Sequence, residues 1–377
     1  MEQWIKLSLP QKSGSEMKWI EEAYRDDWFV PLGPNVDEFE RRLEKFIGGN
    51  HKIVALSSGT AAIHLGLVML GVKAGDEVIC QDLTFSASAN PICYQGARPV
   101  FIDSERETMN MDAEVLDAAI ADRIRQTGRK PRAIVAVDLY GMPANFDKIR
   151  AVADKYEIPV LEDSAEGMGS EYKGRKCGTF GEYGVMSFNG NKMITTSGGG
   201  ALICPDKASA DRVRFLATQA RENRPYYYHE VIGYNYRLSN ISAGIGCAQI
   251  EDIDRRLARR QAIHAIYADA FNDHPYIKVQ KNPSTDYDSN FWLTTIQIAD
   301  EAPLSPDELR MRLIDQKIET RLLWRPMHMM PVFADAPYYG GNVGEGLFNH
   351  GLCLPSGSSL SDEQLNRVID TVSRLMK

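Results

Sequence analysis

Short apolar runs alternate with helical patterns between about residues 50 and 205. The apolar runs are rich in Val, Ile and Phe and are bounded by Gly, Asp and Pro, which is typical of buried strands. They predict strands over Ile53–Ser57, Glu77–Gln81, Arg98–Asp103, Ala133–Tyr140, Pro159–Asp163, Gly184–Phe188 and Ala201–Cys204. The segments between them predict helices over Thr60–Leu70, Ala113–Arg125 and Asn145–Tyr156.

This alternation indicates crossover units, so we expect an α/β fold with a mostly parallel sheet and helices on both faces. Ligands of such sheets bind at the carboxyl ends of the strands. Glu251–Phe271 has the pattern of one long helix with arginines on its outer face, and shorter mixed elements follow it. We therefore predict a large ligand-binding domain with an N-terminal arm over residues 1–250 and a smaller α+β domain over 251–377.

Composition excludes several classes of protein. The 377 residues are 44% hydrophobic and 25% charged, which is typical of a soluble globular protein. The net charge of −8 disfavours nucleic-acid and membrane-surface partners. No apolar run approaches the ~20 residues of a membrane helix, and the first residues lack a signal-peptide core. The six scattered cysteines and the histidine spacing predict a cytoplasmic protein without a metal site.

One amine stands at the end of an apolar run. Lys192 lies in a turn of small residues that follows the predicted strand ending at Phe188 and precedes Gly198-Gly199-Gly200. A free lysine has a pKa of about 10.4, so attack on a carbonyl needs a lowered pKa or an aldehyde that captures the neutral amine. The alternative is an ordinary surface lysine in a loop.

Two further segments follow predicted strands. The segment Ser57-Ser58-Gly59-Thr60 leads into a helix, whose first N–H groups could bind an anion or could simply be capped by Ser or Thr. Asp163 ends an apolar strand, where a carboxylate is costly unless a cation pairs with it. A protonated pyridine nitrogen would serve as that cation, and the alternatives are a helix cap or a surface carboxylate.

Aromatic and polar groups complete the set. Phe85 follows another strand and could stack on a flat ring, although an aromatic at this place is more often part of the core. Asn235 and Arg237 could contact a phosphate or a carboxylate, or could cap the next helix. An anion cradle, a ring face, a strand-end carboxylate and a lone amine together meet the needs of pyridoxal 5′-phosphate (PLP).

The order of these segments resembles that of the DegT-type sugar aminotransferases, a family of fold-type-I PLP enzymes. The resemblance runs through nearly the whole chain, from Pro31 to His328. Its motifs are Ser58-Gly59-Thr60, Glu162-Asp163, Ser187-Phe188-x-x-x-Lys192 and Gly233-x-Asn235-x-Arg237-x-Ser239. It implies the fold-type-I architecture and a homodimer with two shared active sites.

The resemblance also implies roles for residues. Lys192 would bond to the cofactor aldehyde, and Asp163 would pair with the ring nitrogen. Asn235 would reach the cofactor phosphate of the neighbouring subunit. The other implied cofactor-binding residues are Ser58, Gly59, Thr60 and Ser187 at the phosphate, Phe85 on the ring and Glu166 near the ring hydroxyl.

The implied reaction moves an amino group from an amino acid, with L-glutamate as the expected donor, to the keto carbon of a nucleotide-linked sugar. Deoxygenating relatives carry His in place of Lys192, so the lysine favours amino transfer. The segment from Ser187 to Gly200 resembles that of enzymes that aminate C4 of UDP-linked 4-keto-6-deoxy-N-acetylhexosamines for bacterial surface glycans. The alternatives are C3 amination of a dTDP-linked sugar and a non-catalytic regulator with the same fold.

Substrate contacts are expected in two regions. Trp28 and Leu32 belong to a segment that resembles the loop beside the sugar. Arg237, Arg325 and His328 are candidates for nucleotide phosphates or the donor carboxylate, because Arg suits bidentate recognition of such anions. The alternatives are surface ion pairs for the arginines and a core or solvent-facing ring for His328.

Overall fold

The computed structural model describes residues 3–377. Its strands are β1 Lys52–Leu56, β2 Glu77–Gln81, β3 Arg98–Ile102, β4 Ala133–Val137, β5 Val160–Asp163, β6 Glu171–Tyr172, β7 Arg175–Lys176, β8 Tyr183–Ser187, β9 Gly200–Cys204, β10 Ile277–Val279, β11 Tyr287–Asp288, β12 Thr294–Ile298, β13 Arg321–Leu322, β14 Tyr338–Tyr339 and β15 Gly351–Leu354. Its α-helices are α1 Glu16–Arg25, α2 Pro34–Ile47, α3 Gly59–Met69, α4 Asn90–Tyr94, α5 Ala113–Thr127, α6 Phe146–Tyr156, α7 Lys207–Ala217, α8 Asn240–Ile250, α9 Ile253–Ala270, α10 Pro306–Asp315, α11 Val343–His350 and α12 Asp362–Leu375.

The large sheet has the order β1-β9-β8-β5-β4-β2-β3-β14. The strands from β8 to β14 run parallel to one another, whereas β9 is antiparallel to both β1 and β8. Apolar clusters cover both faces of this sheet, and β4 and β8 are buried along their whole length. The predicted α/β architecture with a mostly parallel sheet is confirmed.

Helix α3 is held tightly against the sheet. Most of its residues are buried, as expected for a helix that is apolar on all sides. Gly66 allows this approach, because a Cβ there would lie 2.7 Å from Cδ1 of Leu161 in β5. The close packing fixes the N-terminus of α3 beside the carboxyl ends of the central strands.

The C-terminal part of the chain builds a second sheet of order β10-β12-β15-β13, which packs with α9, α10 and α12. Ile5 of the N-terminal arm belongs to the same core. The C-terminal part also returns to the larger unit, because β14 pairs with β3 and β11 pairs with β6. The division at residues 250 and 251 stays a prediction.

Two expectations need correction. The strand predicted to end at Tyr140 ends at Val137, because Tyr140 adopts a φ of 54° in a short 3-10 helix. The arginines of α9 are not all on an outer face, since Arg256 and Arg260 are each only 2% exposed. Arg260 is accommodated because its guanidinium donates to the carbonyls of Trp292 and Ser356.

Candidate active site

A cavity of about 490 Å³ opens at the carboxyl ends of the central strands. Of the predicted cofactor-binding residues, all but Asn235 line it: Ser58, Gly59, Thr60, Phe85, Asp163, Glu166, Ser187 and Lys192. They come from the ends of β1, β2, β5 and β8 and from the loops after them. The topology therefore brings together segments that are up to 134 residues apart, from Ser58 to Lys192.

The N-terminus of α3 forms one wall of the cavity. Ser58 caps the helix, because its hydroxyl accepts a hydrogen bond from the backbone N–H of Ala61 at 3.0 Å. The N–H groups of Gly59 and Thr60 belong to the first turn and have no acceptor within the helix. A Cβ on Gly59 would lie 3.1 Å from the Cβ of Ser187, so glycine brings that serine beside the helix start. This arrangement suits a phosphate group.

Asp163 lies on the floor of the cavity and is 4% exposed. Its carboxylate accepts hydrogen bonds from the hydroxyl of Ser88 at 2.6 Å and from the N–H of Ala165 at 3.2 Å. Burial raises the pKa of Asp163, and these two donors together with the charge of Lys192 oppose the rise. Within residues 3–377 this carboxylate has hydrogen-bond donors but no ion-pair partner, so it can serve a cationic ring nitrogen.

The amine of Lys192 is held between a carboxylate and a ring. Its Nζ lies 3.2 Å from Oε1 of Glu166 and 4.0 Å from the ring centre of Trp292. Burial raises the pKa of Glu166, whereas the charge of Lys192 and the N–H of Tyr140 lower it. The indole N–H of Trp292 donates to the carbonyl of Asn191 at 2.8 Å, which fixes the turn that carries the lysine.

Aromatic side chains form another part of the wall. Phe85 is 48% exposed and packs at a tilt on Trp324, with 5.1 Å between ring centres. Tyr140 stacks between Trp324 and Trp292, at 6.2 Å and 6.5 Å. The exposed ring of Phe85 is thus available to a flat ligand, and its predicted stacking on the cofactor ring stays a prediction.

The predicted substrate residues lie outside this cavity, and two of them are engaged elsewhere. Arg237 donates to Oε1 of Glu40 at 2.7 Å and to the carbonyl of Ala55 at 2.9 Å. His328 lies 2.7 Å from the carboxylate of the buried Asp82 and stacks on Tyr338. Each of these side chains therefore has a carboxylate partner within the chain, and the predicted contact of each with a substrate anion stays a prediction.

The remaining predicted residues are exposed. Arg325 and Trp28 face solvent and do not line the cavity. Asn235 and Leu32 line a second depression of about 430 Å³, which also contains the backbone segment around Arg221. Within one chain, Asn235 does not reach the cavity, and its predicted role in a neighbouring subunit stays a prediction.

Four further residues of the cavity, Ser88, Trp292, Arg321 and Trp324, have polar or aromatic side chains that were not predicted from the sequence. Ser88 follows Phe85 by one turn, so a search for hydroxyl groups near that segment would have found it. Arg321 and Trp324 precede Arg325 by a few positions. The hydrophobic pattern of this segment did not predict a strand or which of its side chains face the cavity. Trp292 gives no local signal, because only the tertiary fold brings it to Lys192.

A group of potential metal ligands lies on the opposite side of β5 from Asp163. The side chains of Asp138, Glu162 and Cys177 are buried and have ligand atoms within 4.8 Å of one another. The N–H groups of Gly178 and Phe180 already donate to the two oxygens of Glu162. The absence of a metal from this protein stays a prediction.

Comparison with known proteins identifies the family. The profile of the DegT/DnrJ/EryC1/StrS aminotransferase family matches residues 10–373. The chain belongs to this family. It is 46% identical over 379 residues to the putative pyridoxal phosphate-dependent aminotransferase EpsN of Bacillus subtilis (strain 168), with 100% of this chain and 96% of EpsN covered. It is 37% identical to the GDP-perosamine synthase of Escherichia coli O157:H7, with 98% of each chain covered.

A solved structure supports the same conclusion. A DegT DnrJ EryC1 StrS aminotransferase from Brucella abortus superposes with a TM-score of 0.89 at 28% identity, covering 96% of this chain and 95% of that one. The predicted family, the fold-type-I architecture and the transaminase activity are confirmed. No helix within residues 3–377 is long and apolar enough to cross a membrane.

The cavity fits the cofactor of the family, PLP, and the predicted cofactor is confirmed at the level of the family. The start of α3 with Ser187 would hold the phosphate, Asp163 the ring nitrogen and Lys192 the aldehyde carbon. When bound, PLP withdraws electrons from the substrate carbon that gains or loses the amino group. Asp163 would keep a proton on the ring nitrogen, and Lys192 would carry a proton to and from that substrate carbon.

Proposed function

We propose that this enzyme transfers an amino group from L-glutamate to the C4 keto carbon of a nucleotide-linked 4-keto-6-deoxy sugar, for the synthesis of bacterial surface glycans. The observation that carries the proposal is the cavity in which Lys192 and Asp163 meet at the end of the sheet, in a chain of an aminotransferase family. The similarity to a relative named GDP-perosamine synthase supports a sugar as acceptor.

The nucleotide is the least constrained part of the proposal. Resemblance of the Ser187–Gly200 segment favours a UDP-linked N-acetylhexosamine. A GDP-linked sugar is the second candidate, because three relatives are named GDP-perosamine synthase and GDP-perosamine carries its amine at C4. Amination at C3 of a dTDP-linked sugar is the remaining alternative.

The decisive experiment supplies the PLP-loaded enzyme with L-glutamate and one keto sugar at a time. The acceptors are UDP-, GDP- and dTDP-linked 4-keto-6-deoxy sugars and a dTDP-linked 3-keto sugar. We expect mass spectrometry to detect an amino sugar and NMR to place the amine at C4. The variant Lys192→Ala is the control for enzyme-dependent transfer. Absence of any product from all four acceptors would refute the proposed acceptor class.

We also propose that the enzyme acts as a homodimer with shared active sites. Asn235 is exposed and lines the depression beside Leu32, away from the cavity of its own chain. Large apolar side chains that are close in sequence to its lining residues are exposed, including Phe29, Tyr227 and Ile232. Such a surface is typical of a protein interface.

The dimer can be tested by mixing two inactive variants. If Asn235 serves the neighbouring subunit, a heterodimer of Lys192→Ala and Asn235→Ala chains has one complete site. Random exchange of subunits then restores about a quarter of the wild-type activity. A mixture that stays as inactive as its components, although mass spectrometry detects heterodimers, would contradict sharing.

A further inference from the structure

The carboxylate of the amino-acid donor lacks a partner among the residues discussed so far. Arg237 and His328 each have a carboxylate partner within the chain, and neither they nor Arg325 line the cavity. The cavity also contains two buried carboxylates, Asp163 and Glu166, which repel an incoming anion. A fixed positive charge is therefore needed at its wall.

Arg321 supplies a charge at that position. It begins β13, pairs with Cys353 of β15 and lines the cavity together with Trp324. Its neighbour Leu322 packs against the core of the small domain. Because successive side chains of a strand point to opposite sides, this packing directs Arg321 away from that core.

The guanidinium of Arg321 is weakly engaged within the chain. Its closest carboxylate oxygen belongs to Glu319 at 3.7 Å, which is beyond hydrogen-bond distance, and its side chain is 52% exposed. Glu319 also lies 3.8 Å from the amine of Lys6. The planar fork of Arg321 therefore keeps donors for a ligand, whereas Lys192, the other cation of the cavity wall, is required for the chemistry.

We propose that Arg321 binds a carboxylate of the amino-acid donor, and of the oxo acid formed from it, through a bidentate pair of hydrogen bonds. This inference rests on the proposed use of an amino-acid donor. Arg321 is then a specificity-determining residue, because a bidentate pair favours donors whose carboxylate reaches the mouth of the cavity. The same guanidinium could instead meet a nucleotide phosphate, and the experiment separates the two ligands.

The first measurement is a binding constant. Isothermal calorimetry gives the affinity of the PLP-loaded enzyme for glutarate, a dicarboxylate that cannot donate an amine. We expect Arg321→Gln to weaken binding roughly ten- to a hundredfold, since a hydrogen bond to a charged group is lost. The glutarate affinity of Arg321→Lys should lie between those of wild type and Arg321→Gln. Arg312 is an exposed arginine of the same domain, so Arg312→Gln should bind glutarate as wild type does. Unchanged glutarate affinity in a folded Arg321→Gln protein overturns the proposal.

The second measurement follows the two half-reactions separately by visible absorbance. In Arg321→Gln, the glutamate concentration that gives the half-maximal rate of the first half-reaction should rise by the same factor as the dissociation constant for glutarate. The rate of that half-reaction with an amine that lacks a carboxylate should stay unchanged. A defect confined to the second half-reaction, with the nucleotide sugar, would assign Arg321 to a phosphate and overturn the donor assignment. If wild type reacts with glutamate but aminates no sugar, the proposed acceptor fails and the role of Arg321 is still decided by glutarate.

Discussion

The pair formed by Arg237 and Glu40 gives a quantitative prediction. Arg237 donates to Oε1 of Glu40 and to the carbonyl of Ala55, and its side chain is 9% exposed. Removing one partner of a buried pair costs about 3–5 kcal/mol. In the Arg237→Gln variant, Glu40 keeps two partners, the guanidinium of Arg214 at 2.8 Å and the N–H of Ala55 at 2.8 Å. We therefore expect the free energy of unfolding to fall by about 3 kcal/mol, the lower end of that range.

The assay is urea unfolding of the PLP-loaded enzyme at one fixed protein concentration, combined with KM for the nucleotide sugar. We expect Arg237→Gln to lower the free energy of unfolding by about 3 kcal/mol and to leave KM within twofold. Arg41→Gln is the matched control on α2, because its pair with Glu38 is exposed and should contribute within about 1 kcal/mol. The reasoning is refuted if Arg237→Gln is as stable as the control and instead raises KM strongly.

Three further predictions concern the surroundings of the site. Ser88→Ala removes a hydrogen-bond donor from Asp163 and should raise the pKa of that carboxyl, by roughly one unit for each 1.4 kcal/mol of lost interaction with the charged form. The variant should therefore bind PLP more weakly in a fluorescence titration. Burial raises the pKa of Glu162 from 4.5 to about 7 and also raises the pKa of Asp138 well above its usual value, so the folded protein keeps protons that the unfolded chain releases. The free energy of unfolding should therefore fall as pH rises from about 4.5 to 7, and less steeply in Asp138→Asn. Gly200→Ala places a Cβ 2.4 Å from a backbone nitrogen at the start of α3, and should reduce both thermal stability and PLP affinity.

Each of these predictions has a control or an outcome that contradicts it. Ser86→Ala removes a hydroxyl from the same turn and should keep the PLP affinity of wild type. Identical pH slopes for wild type and Asp138→Asn would show that the buried carboxyls do not hold the extra proton. Gly190→Ala adds a methyl group in open space, so a loss equal to that of Gly200→Ala would refute the steric argument.

Much of the fold is predictable because its signals are local. The buried parallel strands are continuous apolar runs, and Glu77–Gln81 was predicted to the residue. The overlong strand after Ala133 shows the limit, because the left-handed backbone of Tyr140 has no signature in a non-glycine residue. Arg260 was placed outside for a similar reason, since the carbonyls that satisfy it come from segments 32 and 96 residues away.

The residues of the site also fall into two groups, those with a local sequence signal and those that only the fold brings together. The presence of Lys192 in the cavity could be predicted from the sequence, because the amine and the turn that carries it lie in one continuous segment after a strand. Ser88, Trp292 and Arg321 are brought to the cavity by the fold, so their position there depends on strand order and on the packing of the C-terminal part of the chain. The ion pair of Arg237 could not be predicted from its charge alone, because its partner Glu40 lies 197 residues earlier.

The contacts of Trp292 with Lys192 and with the turn at Asn191 make the position of this amine depend on a residue 101 positions after Asn191. A fragment that stops near residue 250 would contain the family motifs from Ser58 to Ser239. It would lack Trp292, whose ring contacts the amine of Lys192. Truncation there would thus remove Trp292 from beside Lys192 while leaving the other cavity residues up to Gly199 in the chain. Engineered chimaeras should therefore take the turn at Asn191 and Trp292 from the same parent.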